Sequence, residues 1–189
     1  MATAEQPAAR QRPATEAEAK ALASAVRLRI LRVCLDEPLT NREIAQRLGL
    51  NPGTTLHHVR TLVDTGFLAA QPVRRGARGA REIPYLATGK SWTLNVHESK
   101  LRDSNTRAML EAFRQEVDLV KDLRDTMIYR LGLRLTEAEY QELNHRLTAL
   151  LQEYADRALD ERGATGRPYS LMLVLHPDLG RQITSSADG

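Results

Sequence analysis

LTNREIAQRLGLNPGTTLHHVRTLVDTGFL, residues 39–68, holds two short helices and the turn between them. Thr40 and Glu43 have the spacing of a capping box, which starts a helix by satisfying its first free N–H groups. Ile44, Ala45 and Leu48 then fall on one face. Gly49 suits the left-handed position that closes a helix. Asn51 is a good N-cap, and Pro52 sits where proline is tolerated, at the first helical position. The second helix runs to about Thr65 and ends at Gly66, with Val59, Leu62 and Val63 facing inward. Two capped helices joined by a Gly-Leu-Asn turn make a helix-turn-helix. The first helix braces the second, whose N-terminal residues are presented to base edges of DNA.

The outward positions of that second helix are Gly53, Thr54, His57, His58, Arg60 and Thr61. Small and hydrogen-bonding groups there suit close approach to phosphates and bases, and the free N–H groups of the helix start favour a phosphate. Arg60 is placed to pair with guanine or with a phosphate. Thr40, Asn51 and Thr55 complete the candidate contacts on this motif. Leu56 lies near the Val59 and Val63 face and reads either as core or as a contact to a thymine methyl group.

Two extended runs follow, FLAAQPV at 67–73 and EIPYLA at 82–87, around RRGARGAR at 74–81. They read as a hairpin with a glycine-bearing loop. Its arginines, Arg74, Arg75, Arg78 and Arg81, are expected to reach phosphates or a narrow minor groove, as the wing of a winged helix does. Upstream, Thr15 and Glu18 form a capping box, and Leu22, Val26, Ile30, Val33 and Leu35 mark one amphipathic helix to about Leu35, stopped by Asp36, Glu37 and Pro38. Residues 1–14 show no periodic apolar pattern and read as a disordered arm.

Charge is divided unevenly along the 189 residues. Residues 1–92 carry 14 Lys+Arg against 8 Asp+Glu, and residues 93–189 carry 13 against 16. A basic half points to a polyanionic partner. Aromatic residues make up only 4%, too few for the stacking platforms that single-stranded nucleic acid needs. Cys34 is the one cysteine, so no intramolecular disulfide can form, and its place beside Leu31 and Leu35 reads as a buried thiol. There is no apolar run of about 20 residues, and Met1 to Pro13 lacks the apolar core of a signal peptide. The expected location is the cytoplasm, with no membrane association.

The second half has a different texture. Met109, Phe113, Val117, Val120, Leu123, Met127 and Leu131 recur at helical spacing over 100–131. Thr136 and Glu139 open another helix, expected to reach about Arg162, with Leu143, Leu147, Leu150 and Tyr154 on a stripe. YSLMLVL at 169–175 reads as a buried strand. Two striped helices bury little alone, so a homodimer built partly from 100–131 is expected. Met109, Phe113, Met127 and Tyr154 are the candidate lining of an effector pocket, for a small molecule that the sequence does not identify.

Chemistry-bearing motifs are otherwise missing. ATGKS at 87–91 echoes a phosphate-binding loop, but the glycine that motif requires at position 84 is Pro84. No nucleophile–base set, metal-ligand set or cofactor motif occurs, so an enzyme, a cofactor and a metal are not expected. His97 and His176 receive no role.

Residues 21–92 resemble the ArsR-like winged-helix transcriptional regulators. The resemblance rests on ALASAVRLRILRVC at 21–34, on the stretch 39–68 and on the wing. Leu28-Arg29-Ile30-Leu31 is similar to the family's first DNA-domain helix, and His58-Val59 before Leu62 and Gly66-Phe67-Leu68 is similar to the end of its recognition helix. The resemblance implies a bacterial homodimeric repressor that releases DNA on binding an effector. The Cys-Val-Cys motif of metal-sensing members does not occur, and Glu142 with His145 is the nearest approach to the family's other metal site. Leu56 stands where the family commonly has serine.

The expected fold is mainly α with small β (α+β), a winged helix-turn-helix followed by a two-helix region with one terminal strand. The expected organisation is an arm at 1–14, a DNA-binding domain at 15–97, a helical dimerisation and effector region at 98–176, and a flexible tail at 177–189. The expected function is a sequence-specific double-stranded-DNA-binding regulator, a dimeric repressor. The alternative is a winged-helix module that binds protein without specific DNA binding.

Overall fold

A computed structural model of the chain describes residues 11–76, 79–96, 99–160 and 166–181. Strand β1 (Arg12–Pro13) pairs in parallel with β7 (Leu94–Asn95). The last residues of the expected disordered arm are therefore ordered. Ala14 N–H donates to the Asn95 carbonyl at 3.0 Å, and Arg12 grips Glu18 with two hydrogen bonds of 2.9 and 2.6 Å.

Thr15 caps α1 (Glu16–Leu22) with both halves of the capping box in place. The single helix expected to Leu35 is two. The chain turns at Ala23 and Ser24, and the Ser24 hydroxyl accepts from Arg27 N–H to start α2 (Ala25–Val33). Serine hydrogen-bonds locally to backbone and so favours a cap over a helix interior. The bend lets Leu22 and Ile30 enter the same core.

Strand β2 (Leu39–Thr40) leads into α3 (Asn41–Leu48), which Thr40 and Glu43 cap reciprocally. Gly49 closes α3 at φ +66°, and Leu50 N–H donates back to the Ala45 carbonyl at 2.8 Å. A Cβ at Gly49 would meet nothing within 4 Å, so the demand for glycine comes from the backbone angle alone. Asn51 caps α4 (Pro52–Asp64), the second helix of the motif.

The antiparallel sheet has the order β2-β6-β3, built from β3 (Leu68–Ala70) and β6 (Pro84–Ala87), with Leu68 opposite Ala87 and Leu39 opposite Tyr85. Beyond it, β4 (Arg74–Arg75) pairs with β5 (Arg81–Glu82) to extend the hairpin. The core lies between the helices and this sheet: Ile30, Cys34, Ile44, Val59, Leu62 and Phe67 are fully buried.

Helix α5 (Arg102–Val117) packs on α1 and α2 through buried Asn105, Ala108 and Ala112, and Arg29 donates to Gln115 at 2.9 Å. Residues expected to belong to a separate helical region thus complete the packing of the first. The helix also ends well before Leu131. Past Val117 the stripe has no described surface to cover, and Leu119 and Val120 are exposed. Helix α6 (Glu137–Asp160) starts at the Thr136–Glu139 capping box, with Glu139 N–H donating to Thr136 Oγ1 at 3.3 Å. No described side chain of α6 is buried; Arg162, where the helix was expected to end, lies outside the described residues.

Residues 169–175 form no strand, and Leu171 and Val174 are exposed. A strand needs a neighbour for its N–H and C=O groups, and 169–175 pairs with none among the described residues. Of the expected tail, Leu179–Arg181 make a 3-10 turn, and 182–189 are outside the description. The whole is a mainly α, small β winged helix fold. No helix among the described residues is long and apolar enough to cross a membrane.

Candidate nucleic-acid interface

Helix α4 divides by face. Thr55, Val59 and Leu62 are buried against the core, while Gly53, Thr54, His57 and Arg60 are exposed along the other side. The α4 start is prepared for a close partner. Asn51 Oδ1 accepts from Gly53 N–H at 2.8 Å and the Asn51 carbonyl from Thr55 N–H at 2.9 Å; since Pro52 has no N–H, Thr54 N–H is the group of the first turn left to another acceptor. Asn41 Nδ2 donates to the Pro52 carbonyl at 2.9 Å, bracing the start of α4 against the start of α3.

Two candidate contacts fall elsewhere. Thr55 is fully buried, and its hydroxyl donates to the Asn51 carbonyl at 2.9 Å. At 3.6 residues per turn it lies four before Val59, on the inward stripe. Thr40 is buried too, and its hydroxyl is committed to Glu43 as part of the cap. Leu56 is half-buried, between the two faces.

His58 is half-buried, and its Nδ1 meets no hydrogen-bond partner among the described residues. Its pKa lies below the ordinary histidine value, first because of burial, then because Arg27 and His57 are close. Arg27 is itself fixed, donating to the carbonyls of Ala21 and Lys20.

The other end of α4 is held by Lys90. Its Nζ donates to the Thr65 carbonyl at 2.6 Å, lies 2.7 Å from Glu18 Oε1 and sits 5.2 Å from the Phe67 ring centroid. The ATGKS segment that echoes a phosphate loop is thus a structural strut. Sequence reasoning missed this role, since a lysine carries no local sign of its tertiary partners.

The wing presents Arg75 and Arg81, both exposed and opposite each other in the β4–β5 pair. Val73, Arg74, Arg75, Gly79 and Arg81 line an open concavity with a basic wall. A Cβ at Gly76 would meet the end of the Glu82 side chain, which would have to shift. Arg74 is directed at Glu43 and Glu82. Arg78 lies outside the described residues.

The candidate effector residues differ in exposure. Met127 is 78% exposed and Tyr154 59%, Met109 is at the surface, and Phe113 is half-buried. Because α5 stops at Val117, Met127 leaves the helical face that its spacing implied.

Residues 25–69 match the family model of winged helix-turn-helix DNA-binding domains, a span from the start of α2 into β3. No curated protein shows a match to the chain.

Proposed function

We propose that this protein is a sequence-specific double-stranded-DNA-binding transcriptional regulator of ArsR-like type, a cytoplasmic homodimeric repressor. Its DNA-binding unit spans 15–97, completed by α5, and residues beyond Val117 serve self-association. One observation carries the reading: the exposed edge Gly53, Thr54, His57 and Arg60 of α4, braced by α3, lies in the same motif as a wing carrying Arg75 and Arg81. A helix of this kind fits a major groove, and wing arginines fit the flanking phosphates. The twofold reading is supported by exposed apolar side chains downstream of α5, such as Ile128, Leu131 and Leu171, which a second copy would cover.

The test is capture of genomic duplex fragments by the full chain, followed by titration of the enriched fragment at several salt concentrations. Binding is expected to fall steeply with salt through counterion release. Arg60→Ala is expected to cost about 1–3 kcal/mol on the selected site and less on unrelated duplex. Failure to enrich any fragment sinks the proposal. DNA-independent capture of a protein partner by the same surface favours the interaction-module alternative.

A further inference from the structure

The Glu43 carboxylate serves two elements at once. Its Oε2 accepts from Thr40 N–H at 2.8 Å and from Thr40 Oγ1 at 2.9 Å, closing the capping box of α3. The same carboxylate receives Arg74 from the wing, with Nη2 at 2.5 Å from Oε1 and 2.6 Å from Oε2. Arg74 Nε then lies 3.6 Å from Glu82 Oε2 on the opposite wing strand. One guanidinium therefore joins both strands of the wing to the first turn of the helix that braces α4. Arg75 and Arg81 have no carboxylate partner among the described residues.

Chemistry separates these arginines. A phosphate approaching Arg74 would meet the Glu43 and Glu82 carboxylates beside it, and like charges repel. Arg75 and Arg81 present their charge without that opposition. The Glu43 carboxyl is held below its usual range, by the Thr40 N–H first and by Arg74 among the further causes, so the pair stays ionised at neutral pH.

We propose that Arg74 is a positioning residue: clamped by Glu43, it sets the wing against the helix-turn-helix and makes no phosphate contact of its own, leaving Arg75 and Arg81 to meet the backbone. The statement about phosphate rests on the DNA-binding reading above; the clamp itself does not.

The test compares Glu43→Gln, Arg74→Gln, their double variant and Arg75→Gln in the full chain. Glutamine retains the capping geometry at position 43, and a melting curve on each variant checks that the fold is kept. Without DNA, amide exchange at 74–76 and 79–82 is expected to rise about two- to fivefold in either clamp variant, the range of a surface ion pair, and no further in the double. With a captured duplex, Arg75→Gln is expected to lower the log–log salt slope by about 0.9, the loss of one phosphate contact. Arg74→Gln leaves that slope at the wild-type value while weakening binding about two- to fivefold, the surface ion-pair range again. Glu43→Gln does the same, although removing a negative charge near DNA ordinarily strengthens binding.

A slope loss in Arg74→Gln equal to that in Arg75→Gln overturns the proposal. So does tighter binding by Glu43→Gln, or unchanged wing exchange in either clamp variant. A wild-type chain that holds no duplex overturns the DNA-binding reading and, with it, the phosphate statement, and the exchange measurement then decides the clamp.

Discussion

Lys90 Nζ stands 2.7 Å from Oε1 of Glu18, a carboxylate whose side chain is only 7% exposed. Glu18 also takes the two hydrogen bonds of Arg12 and the N–H of Thr15. Since Lys90 donates onward to the Thr65 carbonyl, the charge links β1, the start of α1 and the end of α4. Arg12, the largest influence, holds the carboxyl far below its usual range, against the opposing effect of burial, with Lys90 and Thr15 adding to it.

Glu18→Gln is expected to cost about 1–3 kcal/mol at neutral pH, because Arg12, Lys90 and Thr15 N–H lose a buried, charged acceptor. Chemical denaturation measures it. The native carboxyl titrates lower than the unfolded one, so its contribution is complete above the ordinary Glu pKa of about 4.3 and is lost as pH falls from there toward the native value. The acid branch of the stability curve is expected to be shallower in Glu18→Gln than in the wild type; identical branches would contradict the network.

His58 gives a second pH dependence, in a separate window. Its native pKa is lowered, by burial first and then by Arg27 and His57, so the fold favours the neutral ring. That contribution is present above the ordinary value of about 6.5 and is lost as pH falls through the native pKa. Melting temperature is expected to drop between about pH 7.5 and about pH 5.5, and to drop less in His58→Gln. Equal drops in both proteins would show that the ring does not sense its burial.

Cys34 is fully buried at the end of α2, and its thiol pKa is pushed up to about 12, mainly by burial. A thiol-specific reagent is expected to leave the native chain unlabelled at neutral pH and to label it fully in denaturant. Cys34→Ser is expected to cost about 1–3 kcal/mol, because a hydroxyl is taken into an apolar site. Rapid labelling of the native chain would place the thiol at the surface.

Much of the motif was legible in the residues because its signals are local. The capping boxes at Thr15–Glu18, Thr40–Glu43 and Thr136–Glu139 each form within one turn of helix. Gly49 acts at its own backbone angle, and Asn51 through a hydrogen bond from the N–H two residues on. The break at Ser24 was missed because the apolar spacing of Leu22, Val26 and Ile30 runs through it without interruption. Thr55 was misplaced because a threonine near a helix start looks like a contact until the rotation of that helix against the core is known.

By itself, the sequence determined where α1, α3, α4 and α6 begin and where the turn between α3 and α4 falls, since these depend on neighbours within about four residues. Only the tertiary structure decided the second partners. Glu43 meets Arg74, Glu18 meets Lys90, and α5 lies on α1 and α2. It also withdrew the helix beyond Val117 and the strand at 169–175, because an apolar stripe becomes ordered structure only where another surface covers it. The physical reason is range: capping and propensity act along the chain, whereas ion pairs and burial act through space between residues that no spacing relates.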